Sequence, residues 1–268
     1  MYSYIYDSYL SDKKYEKSLV RLENMVTDLG INGPIHKLSI LKSLREIVQD
    51  EIAAGVNTIV TVGNDNTITQ IIDVIAKKNI TLGIIPMGQE NKIASALGIT
   101  SDNAIESLSK RVTQKIDLGK VNDIYFLSSL QITNTNAIIQ SSGYKIEPRF
   151  SSYNIDIYNF ILTANNQSKD LSPQVFNPLD GTLEAVIYKG GKESFVGRLF
   201  KKQKLDISTF LPFKKLKIKN PFSDAPKKEG EEETKVLVDE QKIIKLPLEI
   251  EVAPSCLKVI VGKDRNFD

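Results

Sequence analysis

Residues 60–99 read VTVGNDNTITQIIDVIAKKNITLGIIPMGQENKIASALGI. An apolar run ends at Gly63, a helical pattern covers residues 67–78, and a second apolar run begins at Thr81. A strand that ends in a tight turn and enters a helix presents backbone amides and the positive end of the helix dipole, which together suit a phosphate group. The stretch therefore predicts a strand–helix–strand crossover with an anion-binding turn.

The rest of the first half alternates apolar runs with amphipathic patterns in the same way. Alternation of this kind is typical of a parallel sheet covered by helices. The spacing of apolar residues predicts strands at 2–6, 57–63 and 81–87, and helices at 13–29, 39–54, 67–78 and 91–97.

The second half, from Ile116 onward, has a different pattern. Six short runs rich in β-branched and aromatic residues follow one another without helical patterns between them: NDIYFLSSLQIT, YNIDIYNFILTAN, GTLEAVIYKG, KKLKIKN, TKVLVDEQ and PLEIEVAPSCLKVIVG. Such runs are typical of an antiparallel sandwich. We therefore predict an α/β fold in which residues 1–115 form an α/β domain with a parallel sheet and residues 116–268 form a β-sandwich. The charged run at 223–233 predicts a solvated hairpin loop.

Composition excludes several classes of protein. With 41% hydrophobic and 25% charged residues, the 268-residue chain is typical of a soluble globular protein. Its single cysteine, Cys256, excludes an intramolecular disulfide framework and is predicted to be a buried structural thiol. No apolar run approaches the ~20 residues of a membrane-spanning helix. The only histidine, His36, has no second His or Cys near it, so no metal or triad role is predicted.

Several short motifs follow one another along the chain. Residues 63–67, GNDNT, correspond to GGDGT, and residues 86–94, PMGQENKIA, correspond to PLGTGND with its following apolar residue and Ala. The second half contains a DLG turn at Asp117, an Ala-Asn pair at 164–165, a DDG-like turn at Leu179-Asp180-Gly181 and a DGE-like turn at Asp239-Glu240-Gln241. In these motifs the chain resembles the diacylglycerol kinase catalytic-domain family, bacterial lipid kinases related to sphingosine kinases and, more distantly, to NAD kinases.

The resemblance implies a fold and an activity. The expected fold is an NAD kinase/diacylglycerol kinase-like α/β domain followed by a β-sandwich, and the expected reaction transfers the γ-phosphate of ATP, with Mg²⁺, to a lipid hydroxyl. By the family's motifs, Asp239 is the expected catalytic base and Asp65 organises metal and phosphate. The expected nucleotide contacts are Gly63, Asn64, Asn66, Thr67, Gly88 and Asn91, and Asp180 is the expected magnesium ligand.

Several positions depart from the family's motifs. Asn64 and Asn66 replace glycines, and because Asn tolerates positive φ they are expected to preserve the turn while crowding an approaching phosphate. Glu90 also replaces a glycine and places a carboxylate where it would repel a polyphosphate. The first-strand loop, NPxSG in the family, is YDSYLSD here.

These departures keep other interpretations open. One is a catalytically impaired pseudokinase of the same fold that binds lipid, nucleotide or a protein partner. Another is NAD kinase-like activity, which lacks a convincing NE motif in this chain. Individual residues also have simpler interpretations, since Asp65 is a typical helix cap and Asp239 a typical turn residue.

Residues 198–222, RLFKKQKLDISTFLPFKKLKIKNPF, interleave Lys and Arg with Phe and contain one acid, Asp206. Such a cluster suits an anionic membrane surface, where each basic residue contributes ~1 kcal/mol. Its alternating KLKIK equally fits a half-exposed strand with a solvated lysine face. The cluster lacks the Tyr or Trp platforms of single-stranded nucleic-acid binding. We expect a cytoplasmic protein, peripheral to the membrane, with a lipid substrate and no nucleic-acid partner; a homodimer is left open.

Overall fold

The structure is a computed structural model that describes residues 1–39, 43–141, 143–146, 153–160, 176–189, 207–219 and 234–267. These residues divide into two compact units. The first contains Met1–Ile116 and the C-terminal segment from Ser255, and the second contains the described residues between Asp117 and Pro254. The predicted Ala164-Asn165 motif, the charged run at 223–233 and, within the basic stretch, residues 198–206 and 220–222 lie outside the described residues.

Helices occur only in the first unit of the described chain. They are α1 (Glu16–Asp28), α2 (Leu44–Ala53), α3 (Asp65–Ile75), α4 (Lys92–Ala96) and α5 (Ala104–Lys110), with 3₁₀ turns at Ser8–Ser11 and Lys13–Tyr15. The strands are β1 (Tyr2–Tyr6), β2 (Ile35–Lys37), β3 (Thr58–Gly63), β4 (Thr81–Pro86), β5 (Thr113–Val121), β6 (Ile124–Phe126), β7 (Ser129–Thr135), β8 (Ile138–Gln140), β9 (Lys145–Ile146), β10 (Tyr153–Tyr158), β11 (Leu183–Tyr188), β12 (Ile207–Phe213), β13 (Lys215–Lys219), β14 (Lys235–Val238), β15 (Lys242–Ile244) and β16 (Leu248–Ile260).

The first unit is built on a parallel sheet with the strand order β2-β1-β3-β4-β16. Tyr6 pairs with Val62 and Gly63 pairs with Pro86, so β1, β3 and β4 end at the same level. In open α/β sheets ligands bind outside the carboxyl ends of the strands. The register therefore brings the segments that follow these three strands to one edge of the sheet.

Burial explains why these strands and helices form. Every residue of β3 and β4 is buried, as expected for parallel strands covered on both faces, and α3 buries most of its apolar residues against them. Helix α2 begins later than predicted, because Ser43 and Glu46 form a reciprocal capping box that fixes its start. The sequence analysis did not predict β2, which is too short to show a clear period, or α5, whose buried Ala104 and Leu108 nevertheless have helical spacing.

The second unit is an antiparallel sandwich. One sheet has the order β12-β11-β10-β7-β14-β15, and facing strands include β8, β13 and the first part of β16. Inward side chains from both layers form one apolar core, which includes Ile132, Ile155, Ala185, Leu216 and Ile250. The predicted fold class, an α/β domain with a parallel sheet and a β-sandwich, is confirmed.

Smaller sequence predictions can also be compared with the structure. Cys256 is buried and free, as predicted. The segment KLKIK forms β13, in which exposed lysines alternate with buried Leu216 and Ile218, and Lys217 pairs with Glu249 at 2.6 Å. This part of the basic stretch is therefore a half-exposed strand with a paired lysine face. In the part of the chain that the structure describes, no helix is long and apolar enough to cross a bilayer.

Candidate active site

The turn after β3 is formed by a helix cap. Asn64 has φ −111° and is the N-cap of α3, where its Oδ1 accepts a long hydrogen bond from the Thr67 amide at 3.5 Å. Asn66 lies in the first turn of α3 and accepts a hydrogen bond from Gln70 Nε2 at 3.1 Å. Neither asparagine has a positive φ, so the tolerance of Asn for that backbone conformation is not what preserves the turn. Asn is among the best N-cap residues, so capping explains Asn64 without a left-handed backbone.

Gly63 and Thr67 are held by contacts inside the unit. A Cβ on Gly63 would lie 2.4 Å from Thr67 Oγ1, so the position has no room for a side chain. Thr67 is fully buried and donates its hydroxyl to Asp7 Oδ2 at 2.5 Å. Sequence reasoning missed Asp7. In the sheet Tyr6 pairs with Val62, so Asp7, the next residue, lies beside the turn that follows β3.

Asp65 connects this turn to the next loop. Its Oδ2 accepts a hydrogen bond from the Lys92 amide at 2.9 Å and its Oδ1 accepts one from the Ile93 amide at 2.9 Å, so the carboxylate caps α4. Its own amide donates to the Glu90 carbonyl at 2.9 Å. Burial raises the pKa of Asp65 to about 6, against the lowering effect of the two amides. Asp65 is thus a helix cap, but for α4 rather than for the helix in which it lies.

The loop after β4 exposes backbone amides. Gly88 has φ +89°, Glu90 has φ +61°, and residues 88–90 are exposed. The amides of Gly88, Gln89 and Glu90 donate to no acceptor among the described residues. Asn91 Nδ2 donates to the Gly88 carbonyl at 2.9 Å, while its buried Oδ1 has no partner in the described chain. Successive free amides in such a turn form a concavity that binds anions.

Tyr9 is a second residue of this edge that sequence reasoning missed. It lies in the first-strand loop, and its hydroxyl donates to the Met87 carbonyl at 2.6 Å. A Cβ on Gly88 would meet this hydroxyl at 2.8 Å, so Gly88 is fixed both by its positive φ and by Tyr9. The YDSYLSD loop thus supports both predicted phosphate loops, through Asp7 and Tyr9.

In the second unit, Asp239 lies in the turn between β14 and β15 with φ +46°. Its Oδ2 accepts a hydrogen bond from the Leu127 amide at 2.8 Å, and its Oδ1 accepts from Ser128 at 2.8 Å and Ser129 at 3.0 Å. Burial raises the pKa of Asp239 to about 6, although the three amides act in the opposite direction. The side chain is thus oriented by three donors and is ionised at neutral pH, as a general base must be.

Asp180 lies in the turn before β11, where its Oδ1 accepts hydrogen bonds from the Thr182 amide at 2.9 Å and hydroxyl at 2.7 Å. Thr182 also contacts Glu184 Oε1 at 3.1 Å, and Asp117 Oδ2 accepts a hydrogen bond from the Gly181 amide at 2.8 Å. Among the described residues, no group of three or more His, Cys, Asp or Glu side chains is placed to hold a metal ion. Magnesium binding by Asp180 stays a prediction.

Glu184 gives this turn a measurable pH dependence. The residue is 4% exposed, and its burial raises the pKa to about 7 from 4.5. Between these values the folded state holds a proton that the unfolded state releases, so we expect stability to fall as the pH rises through this window. Glu184→Gln should reduce the loss of unfolding free energy between pH 5 and pH 8 by ~2–3 kcal/mol. Urea unfolding at pH 5 and pH 8 measures it.

The control for this measurement is Glu106→Gln, which changes an exposed carboxylate in α5 whose pKa is lowered by Lys110. It should leave the fall in stability unchanged. A Glu184→Gln variant with the same pH dependence as the wild-type protein would contradict the prediction.

A family model of the diacylglycerol kinase catalytic domain matches residues 4–121, which include both loops of the first unit. The resemblance is confirmed. The curated diacylglycerol kinase of Bacillus subtilis is 26% identical over 129 residues, covering 46% of this chain and 43% of the relative. The diacylglycerol kinase of Staphylococcus haemolyticus is 36% identical over 74 residues, covering 26% of this chain and 22% of the relative. The matched region spans less than half the length of either relative.

Solved structures extend the similarity of fold to nearly the whole chain. A crystal structure of a diacylglycerol kinase from Bacillus anthracis superposes with a TM-score of 0.71 and 19% identity, covering 98% of this chain and 97% of that one. An NAD kinase from Archaeoglobus fulgidus, solved in complex with ATP, superposes with a TM-score of 0.56 and 13% identity, covering 98% and 94%. The diacylglycerol kinase and NAD kinase-like fold predicted from the motifs is thereby confirmed.

Proposed function

We propose that this protein is an ATP-dependent lipid kinase of the diacylglycerol kinase type, which transfers the γ-phosphate of ATP to a lipid hydroxyl. In this proposal the loops of the first unit bind the phosphates of ATP. The match of residues 4–121 to the catalytic-domain family supports the reaction class.

The observation that carries the proposal is the exposed loop at 88–90. Its three amides have no acceptor among the described residues, and the loop follows a strand at the carboxyl edge of the parallel sheet. Backbone amides in this position bind phosphate oxygens without needing a basic side chain. Glu90 is exposed, so solvent and salt screen the repulsion between its carboxylate and a bound phosphate.

The residues present fit ATP better than they fit a metal held by protein alone. Both oxygens of Asp65 are bonded to the start of α4, which leaves the carboxylate to define the loop rather than to form part of a carboxylate cluster. Mg²⁺ commonly retains several waters and binds through one or two carboxylates and the phosphates of its nucleotide. When bound with ATP, it would neutralise charge that develops on the phosphates during transfer.

For the second unit we propose that Asp239 accepts the proton of the lipid hydroxyl. Its three amide donors fix the orientation of the carboxylate, and a pKa of about 6 keeps it ionised at neutral pH while retaining affinity for a proton. A base with a pKa near the operating pH best combines these two properties. We further propose that the protein meets its lipid at an anionic membrane surface.

The test combines binding with transfer. Calorimetry measures ATP binding with and without Mg²⁺, and radiolabelled ATP measures transfer to diacylglycerol in anionic vesicles, with vesicles lacking diacylglycerol as the control. The kinase proposal expects Mg²⁺-dependent ATP binding and labelled phosphatidic acid. Absence of ATP binding at millimolar concentration would overturn it, whereas ATP binding without transfer to any lipid hydroxyl would support the pseudokinase alternative.

The asparagines of the turn give a prediction about affinity. The double variant Asn64→Gly/Asn66→Gly removes the two side chains that are expected to crowd a phosphate at the start of α3. We therefore expect it to bind ATP about 5-fold more tightly, equivalent to ~1 kcal/mol. The variant should lose only ~1 kcal/mol of stability, because Gly is an adequate N-cap but a weak helix former. Calorimetry measures the affinity, and Asn24→Gly in exposed α1 is the control. Unchanged or weaker ATP binding would contradict crowding by the asparagines.

A further inference from the structure

Asn159 is a buried polar residue for which the motifs of this chain give no role. It directly follows β10 and has no solvent-exposed surface. Its Nδ2 donates to the Leu127 carbonyl at 2.8 Å and to the Asp117 carbonyl at 3.0 Å. Both neighbours are acceptors, so only the nitrogen of the carboxamide fits there and the orientation of the side chain is fixed.

The Leu127–Ser128 segment is a connection between strands. It lies between β6 and β7, where its two residues are outside the ladder of either strand. Asn159 supplies bonds to this segment: besides the Nδ2 contact, its amide donates to the Ser128 carbonyl at 2.9 Å. The Ser128 hydroxyl donates back to the Phe160 carbonyl at 3.2 Å. These contacts fix the segment from one side.

The opposite side of the same segment holds Asp239. Leu127 and Ser128 each use the carbonyl toward Asn159 and the amide toward the Asp239 carboxylate, at 2.8 Å in both cases. Each carbonyl shares a planar peptide group with the amide of the next residue, Ser128 or Ser129, so a bond to the carbonyl fixes the direction in which that amide donates to Asp239 Oδ1. The carboxamide of Asn159 therefore acts on Asp239 through the intervening backbone.

The unpaired carboxamide oxygen of Asn159 indicates that the residue is present for the hydrogen bonds that its Nδ2 donates. Asn159 Oδ1 is buried and has no hydrogen-bond partner among the described residues. An unsatisfied buried acceptor is costly, so a position that required only packing would favour an apolar side chain. The donor contacts to Leu127 and Asp117 account for a polar residue at this position.

We propose that Asn159 is a positioning residue for Asp239, because it fixes the Leu127–Ser128 backbone whose amides orient the carboxylate. The inference rests on the proposed function, in which Asp239 is the base. Asn159 itself contacts no reacting group in this proposal. Its effect on catalysis is transmitted through the direction of two backbone amides.

The test is Asn159→Ala, read out on Asp239 directly. A ¹³C NMR titration of the Asp239 carboxyl should show its midpoint moved upward by ~0.5–1 pH unit, because weaker amide donors stabilise the carboxylate less. Amide exchange at Ser128, whose peptide group carries the Leu127 carbonyl, should become at least about 10-fold faster. In the transfer assay kcat should fall by ~10–100-fold, while KM for ATP changes by less than about twofold.

A matched control is Asn154→Ala, which removes another buried asparagine, 1% exposed, from the strand that precedes Asn159. It should lower stability without moving the titration of Asp239. If Asn159→Ala does not fold, Asn159→Ser keeps one short donor and should give the same changes at smaller size.

The outcomes separate this inference from the proposed function. An Asp239 titration and local exchange rates equal to those of the wild-type protein would overturn the positioning role, even if the protein is an active kinase. Absence of transfer by the wild-type protein would overturn the kinase proposal, and the titration and exchange would still decide whether Asn159 positions Asp239.

Discussion

Asp239→Asn should lower kcat for transfer to diacylglycerol by ~10²–10⁴-fold, the range expected for removing a general base. The substitution keeps the size of the side chain but removes its ability to accept a proton. The backbone amides of Leu127, Ser128 and Ser129 all donate to the Asp239 carboxylate. In the variant, the NH₂ group of the carboxamide would therefore face at least one of these donors. We therefore expect ~1–2 kcal/mol of lost stability together with the loss of activity.

The pH dependence of kcat should follow the ionisation of Asp239. With a pKa of about 6, Asp239 is ionised above that pH and protonated below it, so kcat of the wild-type protein should fall as the pH drops through 6. The residual activity of Asp239→Asn should lack this acidic limb. The measurement is steady-state transfer of label between pH 5 and pH 8, with folding checked by circular dichroism.

The matched control is Glu240→Gln, which neutralises the exposed carboxylate next to Asp239 in the same turn. It should retain kcat within about twofold, because Glu240 makes the smallest of the contributions that set the pKa of Asp239. An Asp239→Asn variant as active as Glu240→Gln would rule out Asp239 as the base.

Asp65→Ala should destabilise the first unit by ~2–4 kcal/mol at pH 5, because the buried Ile93 amide and the Lys92 amide both lose their acceptor. The folded protein raises the pKa of Asp65 to about 6 from 3.8, so the wild-type protein gains stability from this group as the pH falls. The difference in unfolding free energy between the wild-type protein and Asp65→Ala should therefore become smaller as the pH rises through 6. Urea unfolding at pH 5 and pH 8 measures both values.

The same substitution should weaken ATP binding by about 10-fold or more. Asp65 holds the start of α4, and the loop at 88–90 lies immediately before it, so loosening this cap releases the exposed amides from their fixed directions. Asp102→Ala, which removes an exposed carboxylate before α5, is the control and should change neither stability nor affinity. Tight ATP binding by Asp65→Ala would show that the loop does not depend on this cap.

Local pattern was sufficient for most elements of the fold. The predominantly apolar runs that form β3 and β4 are buried throughout, and the helical period between them forms α3, so the sequence predicted this crossover correctly. Strand β2 could not be predicted, because three residues are too few to establish a period, whereas α5 was missed although its buried Ala104 and Leu108 have helical spacing. The start of α2 depended on a capping box at Ser43 that the hydrophobic pattern alone does not reveal.

The roles of the site residues needed tertiary contacts. Asp65 had the sequence signature of a cap, yet its partners, Lys92 and Ile93, are distant in the chain and lie beside it only because β3 and β4 are adjacent in the sheet. The asparagines were expected to preserve the turn because Asn tolerates positive φ, but Asn64 instead caps α3 and Asn66 accepts a hydrogen bond within that helix. Backbone tolerance states what a residue can do, and the surrounding fold decides what it does.

Periodicity and motif order are local properties of the chain, so they were enough to predict the α/β domain, the β-sandwich and the resemblance to the diacylglycerol kinase catalytic domain. The fold was needed to show that Thr67 bonds to Asp7 and that Asn159 and Asp239 both bond to the Leu127–Ser128 segment. These contacts join residues that are between 32 and 112 positions apart. No local pattern encodes such pairs, since the register of the strands alone brings them together.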